Sequence, residues 1–154
     1  MSVQYAVEDP ATFIAELREI IPAHYDELCV TKDFPLAPDY EAYGRLYMAG
    51  MLKCITARDA TGLIGYVIFI VHPHLHYVTC KTAFEDIYFV KKEHRRGRTG
   101  IKLFKFAEEA LRADSVNRII VHTKIHLDNS PLFEYLGYKH TDKLYTKLLS
   151  TESP

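Results

Sequence analysis

The spacing of apolar side chains changes from a helical period to an alternating one near residue 52. Residues 3–7 alternate weakly and predict an opening strand. After the pair Asp9-Pro10, which suits the start of a helix, apolar residues recur at helical spacing. These residues are Phe13, Ile14, Leu17, Ile20 and Ile21. Pro22 is expected to end this first helix, and a second, short helix is predicted around residues 40–47 with Gly50 after its end.

The alternating half of the chain predicts strands at 52–57, 63–71 and 82–90, the first two forming a hairpin and Pro73 closing the second. The strongest helical period follows at 99–113. A buried strand at 118–123, a short helix at 130–136 ending at Gly137, and a last strand at 144–149 complete the pattern. This order is typical of a mixed α/β fold, and we expect one domain over residues 1–150 with 151–154 as a loose tail.

Composition is that of an ordinary globular protein, with 154 residues, 48% hydrophobic and 25% charged. This balance disfavours disorder. A net charge of −1 gives no general electrostatic reason to expect a nucleic acid or a membrane as partner. The start of the sequence shows neither a basic region nor an apolar signal core, and no apolar run approaches the ~20 residues of a spanning helix. Three cysteines without metal-like spacing favour reduced thiols and a cytoplasmic location.

A basic turn lies between the predicted strand that ends at Val90 and the helix that begins near Thr99. Residues 91–105 hold seven Lys or Arg against one acid, Glu93, which is a local excess of +6. Charge runs are usually solvated surface, but here the charges coincide with two glycines and a helix start, a combination that suits a phosphate group. Neither a Walker loop nor a dinucleotide-binding glycine pattern is present.

The order Arg95-x-x-Arg98-x-Gly100 after a strand resembles the R/Q-x-x-G-x-G/A signature of the GNAT superfamily of N-acetyltransferases. Residues 129–138 are similar to a later motif of that family, N-x-x-A-x-x-L-Y-E-K-L-G-F, chiefly in its second half. Two partial motifs in the right order are more specific than either alone. The chain looks like small members of the family of phage and bacterial origin.

The resemblance implies an α/β (α+β) fold with a mixed central sheet of six to seven strands and about four flanking helices. It implies acetyl-CoA as cosubstrate, no metal, and, as an expectation from the family, a homodimer. The residues it assigns to the cofactor are Phe89, Val90, Arg95, Arg96, Gly97, Arg98, Thr99, Gly100, Ile101, Asn129 and Phe133.

Two residues depart from the family pattern. Arg98 stands where the signature usually has its first glycine, although Gly97 is adjacent and an arginine can itself contact phosphate. Phe133 occupies the place of a tyrosine that protonates the departing CoA thiolate in many relatives. Tyr135 and Tyr138 are the nearby phenols that could replace it, and a thiolate with a pKa of ~8.5 can also leave unaided.

The implied reaction is direct attack of a primary amine on the thioester in a ternary complex. An ammonium group with a pKa near ~10.4 must first lose a proton, so a base is required. Glu85 and Asp86 on the strand before the turn are the candidates. Alternation places them on opposite faces, with Asp86 on the face of Tyr88, and a β-bulge would swap that assignment. Plain solvation at a strand end is an equally good interpretation of either acid.

The acceptor pocket is expected between the first two helices and the loop after the hairpin. Its candidate residues are His24, Tyr25, Asp26, Glu27, His74 and His76. Acids with tyrosines suit a cation, although an exposed acidic loop explains them as well. The alternation of His72, His74 and His76 invites a metal, but Pro73 and the lack of further ligands argue against one. An inert thiol is the better interpretation of Cys80.

Two other functions remain open on the sequence alone. The first is a GNAT-fold module that binds CoA or a protein partner with little or no turnover, which Phe133 favours. The second treats the basic turn as a nucleic-acid patch, which the lack of aromatic residues within the turn disfavours.

Overall fold

The computed structural model describes residues 2–30 and 32–149. The predicted tail at 151–154 lies outside the described residues. The elements in chain order are β1 Gln4–Val7, α1 Pro10–Leu28, α2 Tyr40–Met48, β2 Leu52–Asp59, β3 Gly62–His74, β4 Tyr77–Val90, α3 Thr99–Ala113, β5 Arg118–Ile120 and α4 Ser130–Tyr135. A 3₁₀ turn at Lys92–His94 lies between β4 and α3.

The strands form one twisted sheet in the order β1-β2-β3-β4-β5. The first three pairings are antiparallel, and β5 is parallel to β4. The expected α+β fold with a mixed sheet and four flanking helices is therefore confirmed. Among the described residues the sheet has five strands rather than six to seven.

Apolar side chains cover both faces of the sheet. On one face, α3 packs Leu103, Phe104, Ala107 and Leu111 against β2 and β3. On the other, Phe13 and Leu17 of α1 meet Tyr66 and Ile68 of β3, and α2 lies beside them. The sheet is thus the middle layer of three, because alternate residues of β3 point to opposite faces.

β4 and β5 separate after a short pairing. Their register runs only from Thr82 beside Arg118 to Phe84 beside Ile120. Residues 85–90 of β4 continue past the end of β5 and have no strand partner on that side in the described part of the chain. The register with β3 also shifts between Ile68 and Phe69, which leaves Asp86 as an extra, bulged residue. β4 and β5 therefore separate at Glu85 and leave a gap between them.

Helix α1 continues through Pro22, so the expectation that this proline ends the helix is wrong. A proline inside a helix costs about 3 kcal/mol because one hydrogen bond is lost. Buried side chains on both sides of Pro22, Phe13 and Leu17 before it and His24 after it, hold the two halves against the same sheet. The tertiary contacts offset the local cost.

Three strand predictions also need correction. β3 passes Pro73 and ends at His74, with a register shift at that point. β5 spans only Arg118–Ile120 and is half-exposed rather than buried. No strand forms at residues 144–149, which are exposed and lie outside any helix or strand.

Candidate functional site

A cleft of about 450 Å³ lies where β4 ends and α3 begins. One wall is the end of β4 with the first turn of α3, and the facing wall is the loop after β5 with α4. The last turn of α1 closes one end. The lining residues are Glu27, Leu28, Tyr88, Phe89, Val90, Arg95, Gly97, Gly100, Ile101, Leu127, Asn129, Pro131, Leu132 and Tyr135.

The first turn of α3 leaves its backbone N–H groups available to a ligand. The first hydrogen bond at this helix end runs from the N–H of Lys102 to the carbonyl of Arg98, at 2.9 Å. Arg98 precedes the helix without a side-chain cap. The N–H groups of residues 99–101 therefore have no acceptor within the helix, and the positive end of the helix dipole points out beside them.

Gly100 allows the closest approach to this helix end. A Cβ atom at this position would lie 2.5 Å from the hydroxyl oxygen of Tyr88, too close for any other residue without a shift of that ring. Burial raises the pKa of Tyr88 to about 12, so its phenol is neutral. Gly97, in contrast, has open space where its Cβ would be. Within this turn, glycine is thus required at position 100 and not at position 97.

Arg95 is held against the wall of the cleft. Its Nε donates to the carbonyl of Val90 at 2.6 Å, and its guanidinium nitrogens lie 3.0 and 2.7 Å from the carboxylate oxygens of Glu27. The guanidinium carbon also lies 5.3 Å from the ring centre of Phe89. Arg95 is therefore preorganised at the edge of the cleft, and α1 takes part in holding it.

The direction of the β4 peptide groups follows from one hydrogen bond. The N–H of Lys91 donates to the carbonyl of Ile64 on β3 at 2.9 Å. Peptide groups alternate along a strand, so those of Tyr88 and Val90 point away from β3 and towards the gap beside β5. The peptide N–H and carbonyl of Phe89 point towards β3. Of Phe89 and Val90, both assigned to the cofactor by the family resemblance, only Val90 therefore directs its N–H group at the gap.

Glu85 and His122 meet across the gap between β4 and β5. The Nδ1 atom of His122 lies 2.9 Å from Oε2 of Glu85, which also accepts the backbone N–H of His122 at 3.2 Å. Glu85 is only 3% exposed, and the His122 ring stacks on Phe84 at 5.8 Å. The hydrogen bond to Glu85 raises the pKa of His122 against the opposing effect of burial.

Asp86 faces a different environment. It is the bulged residue and is exposed as a whole. Partial desolvation of its carboxyl group, followed by the charge of Glu85, raises its pKa. The charge of Asp86 acts on Tyr43 of α2. Burial is the larger cause and Asp86 the second cause that raise the pKa of the Tyr43 phenol to about 12. The bulge thus separates the two acids: the charge of Asp86 acts on Tyr43 of α2, while Glu85 contacts His122 in the gap.

Helix α4 separates the tyrosines predicted to act as acids. Tyr135 lines the cleft and is 60% exposed. Tyr138 lies on the far side, where burial and then the charge of Glu108 raise its pKa, and it does not line the cleft. Phe133 is buried, with its ring edge-to-face against Phe104 at 5.3 Å, so it supports the helix rather than the cleft wall.

The residues predicted for the acceptor pocket are dispersed. The hydroxyl of Tyr25 donates to the carbonyl of Phe34, and Asp26 forms an exposed ion pair with Lys32 at 2.7 Å. Glu27 lines the main cleft. His74 and His76 lie at the tip of the β3–β4 hairpin, 11 and 9 positions from Glu85 along the chain. At ~3.3 Å a residue this tip is far from the gap.

His24 is buried between the sheet and α1. Its Nδ1 lies 2.6 Å from the hydroxyl of Tyr66, and its ring stacks on Phe89 at 4.6 Å. Burial, the largest effect, lowers its pKa from 6.5 to about 4. His24 is therefore a neutral support behind the cleft wall at physiological pH.

This burial predicts a pH-dependent stability. The folded state binds the His24 proton less tightly than the unfolded chain, so the free energy of unfolding should fall as the pH drops from 6.5 towards 4. The expected loss from this group is about 2 kcal/mol by pH 5. Urea unfolding at pH 7 and pH 5 tests this: His24→Gln should lack that part of the loss, and an unchanged pH dependence would contradict the assignment.

Two further features concern metal binding and membrane insertion. Among residues 2–30 and 32–149, no group of three or more His, Cys, Asp or Glu side chains is placed to hold a metal ion. No helix in the same part of the chain is long and apolar enough to cross a membrane.

Comparison with known proteins identifies the family. The model of the acetyltransferase (GNAT) family matches residues 14–138, and the chain therefore belongs to this family. No curated protein matches the chain significantly.

Similar solved structures cover nearly the whole chain. An aminoglycoside acetyltransferase from an uncultured soil metagenomic sample has a TM-score of 0.78 and 16% identity, over 97% of this chain and 100% of the other. A ribosomal-protein-alanine N-acetyltransferase from Brucella melitensis has a TM-score of 0.73 and 16% identity, over 97% and 100%. A predicted acetyltransferase with acetyl-CoA from Clostridium acetobutylicum has a TM-score of 0.70 and 12% identity, over 96% and 97%. At these identities the likeness concerns the fold.

Sequence reasoning did not predict three contacts of the cleft and the gap. Tyr88 supplies the oxygen above Gly100, Glu27 holds Arg95 rather than lining an acceptor loop, and His122 contacts Glu85. Glu27 and Arg95 are 68 positions apart, and His122 and Glu85 are 37 apart. Contacts between residues so far apart in the sequence carry no local signal.

Proposed function

We propose that this chain is an acetyl-CoA-dependent N-acetyltransferase that passes an acetyl group to a primary amine by direct attack in a ternary complex. Two observations carry the proposal: the cleft at the β4–α3 turn, and the contact of buried Glu85 with half-buried His122 in the gap between β4 and β5. Residues 1–150 would act as one domain in the cytoplasm, where the free thiols of Cys29, Cys54 and Cys80 would stay reduced.

The turn suits the diphosphate of CoA. The N–H groups at 99–101 and the positive helix end attract an anion, and Gly100 lets it approach the backbone. Arg95, Arg96 and Arg98 add positive charge at the same end. The Glu27 carboxylate would hold Arg95 in place without itself touching phosphate.

The end of β4 would receive the pantetheine arm and the thioester. The N–H of Val90 points into the gap and would donate to the thioester carbonyl, which becomes more negative as the amine attacks. Tyr135 lines this cleft on the α4 side and would face the departing thiolate. Tyr138, on the other side of α4, has no part in this step.

His122 would take a proton from the ammonium group of the substrate, so that the neutral amine can attack the thioester. Its Nδ1 lies 2.9 Å from Glu85, so Nε2 would be the nitrogen that meets the substrate, and the raised pKa makes the ring a stronger base than a free imidazole. Glu85 would then be a positioning residue, fixing the ring and stabilising its charged form. Asp86, with Tyr43 beside it, would bind the cationic acceptor on the α2 side.

Release of CoA thiol from acetyl-CoA tests the function. With polyamines, aminoglycosides, amino acids and peptides tested in turn, at least one amine should stimulate thiol release and appear as its acetylated product by mass spectrometry. A chain that binds acetyl-CoA tightly, yet releases no thiol with any amine, would instead support a binding module. That outcome would contradict the proposed activity.

A further inference from the structure

The nitrogens of the Arg95 guanidinium group all lie close to acceptors of the protein itself. Nε donates to the carbonyl of Val90 at 2.6 Å, Nη2 donates to Oε2 of Glu27 at 3.0 Å, and Nη1 lies 2.7 Å from Oε1 of Glu27. The fork of the guanidinium thus faces a carboxylate in the two-point arrangement that this planar group favours. A phosphate could take the same place only if the pair with Glu27 opened.

The carbonyl that Arg95 binds belongs to Val90, whose N–H is directed at the gap. In an extended strand the N–H and the carbonyl of one residue point to the same side. Beyond Phe84, β4 has no strand partner on that side in the described part of the chain, so no neighbouring strand holds Val90 there. Nε of Arg95 takes the position that the N–H of a neighbouring strand would otherwise have. This side chain therefore fixes the last residue of β4, where the thioester is expected.

Two buried rings lie next to the guanidinium group. Its carbon atom lies 5.3 Å from the ring centre of Phe89, and the Phe89 ring stacks on His24 at 4.6 Å. Only 7% of Phe89 and 2% of His24 are exposed, so this closely packed wall has little freedom to move. The contact of the cation with the Phe89 ring adds to the hydrogen bonds. Arg95 is therefore held by an aromatic wall, a backbone carbonyl and a carboxylate.

Glu27 is itself held at the end of α1. Its side chain is 15% exposed, and its backbone carbonyl lies 3.1 Å from Nε2 of His126 in the loop after β5. Its carboxylate lines the same cleft as the first turn of α3. An unpaired carboxylate there would repel a diphosphate, whereas the pair with Arg95 carries almost no net charge. The pair is therefore better suited to hold the backbone than to attract an anion.

We propose that Glu27 and Arg95 are positioning residues that clamp the end of β4, so that the N–H of Val90 meets the carbonyl oxygen of the acetyl group. This inference rests on the proposed function, because it requires the thioester to lie beside Val90. The net attraction for the diphosphate then comes from the N–H groups of the first turn of α3 and from Arg96 and Arg98. Variants of the clamp should keep their affinity for CoA and lose the polarisation of the thioester.

Infrared spectroscopy of bound acetyl-CoA tests the clamp. Acetyl-CoA carrying a heavy carbon isotope at the acetyl carbonyl reports the stretching frequency of the thioester, and the wild type should lower this frequency relative to free acetyl-CoA. Glu27→Gln should lose most of that lowering, because an amide cannot replace a two-point carboxylate. Arg95→Lys should also lose it, because lysine keeps the charge without the planar fork. Glu19→Gln, at an exposed position of the same helix, is the matched control and should behave as the wild type.

Calorimetry with CoA separates a clamp from a phosphate contact. Glu27→Gln should bind CoA as tightly as the wild type or more tightly, because it removes a carboxylate from the cleft. Arg98→Gln should bind CoA about 10-fold more weakly, since a charged hydrogen bond to phosphate is lost. If Glu27→Gln loses CoA affinity while the carbonyl frequency stays lowered, Arg95 serves the phosphate and the proposal is overturned.

Failure of the clamp is distinguishable from failure of the proposed function. If the wild type neither binds acetyl-CoA nor lowers its carbonyl frequency, the proposed function fails and the clamp fails with it. If the wild type lowers the frequency and both clamp variants lower it equally, the clamp alone is overturned. A loss of CoA affinity together with thermal stability in Glu27→Gln and in Arg95→Lys would assign the pair a structural role and would also overturn the proposal.

Discussion

Gly100→Trp is expected to abolish the binding of CoA. The indole would enter the cleft between the first turn of α3 and Leu132, where a Cβ atom alone already lies 2.5 Å from the hydroxyl of Tyr88. Because the indole would keep the diphosphate away from the backbone, CoA would lose both the N–H donors and the positive end of the helix. We expect CoA affinity measured by calorimetry to fall at least about 100-fold, since several charge-assisted hydrogen bonds are lost at once.

Two controls make this result specific. Leu75→Trp adds the same side chain at the exposed hairpin tip and should leave CoA affinity unchanged. In Gly100→Ala, the added methyl group meets the Tyr88 hydroxyl, and Tyr88→Phe in the same chain should restore part of the lost affinity by removing that oxygen. Unchanged CoA affinity in Gly100→Trp, with normal thermal stability, would contradict the assignment of the turn.

His122→Gln is expected to lower kcat/KM for the amine by about 100-fold or more near neutral pH, since removal of a general base has effects of this size. In the wild type, kcat/KM should fall with decreasing pH through the pKa of His122, which Glu85 holds above 6.5. Glutamine cannot take a proton in this range. The variant should therefore be slower. It should also lack the decrease of kcat/KM at low pH, the acidic limb of the pH profile.

Glu85→Gln separates positioning from proton transfer. Without the carboxylate the pKa of His122 should fall, so the acidic limb should move to lower pH while kcat decreases. Asp86→Asn is the comparison, because its charge acts on Tyr43: the substitution should raise KM for a cationic amine and leave the limb in place. If the limb moves in Asp86→Asn and not in Glu85→Gln, the two acids have exchanged roles.

Local patterns predicted most of the fold. Helix α3 begins and ends at the predicted residues 99 and 113 because one apolar face and one basic turn define it. The pattern failed where distant contacts decide, as at Pro22, which lies within α1 because His24 is fixed against Tyr66 and Phe89. The sequence predicts a buried strand at β5, because nothing in it indicates an open edge. In the described structure one edge of β5 is open and the strand is largely exposed.

The site was predictable in its backbone and less so in its side chains. The turn from Val90 to Gly100 is visible in sequence, because charge, glycine and helix start are neighbours. The bulge at Asp86 arises from the register with β3, and it decides which acid enters the gap. The partnership of Glu85 with His122 depends on the separation of β4 and β5, which no local signal specifies.

A crystal structure of the chain with CoA tests the central claim most directly. We predict that the diphosphate contacts the N–H groups of residues 99–101 and that the thiol lies near Val90, between β4 and α4. CoA bound elsewhere, or a first turn of α3 that contacts no phosphate, would contradict the account.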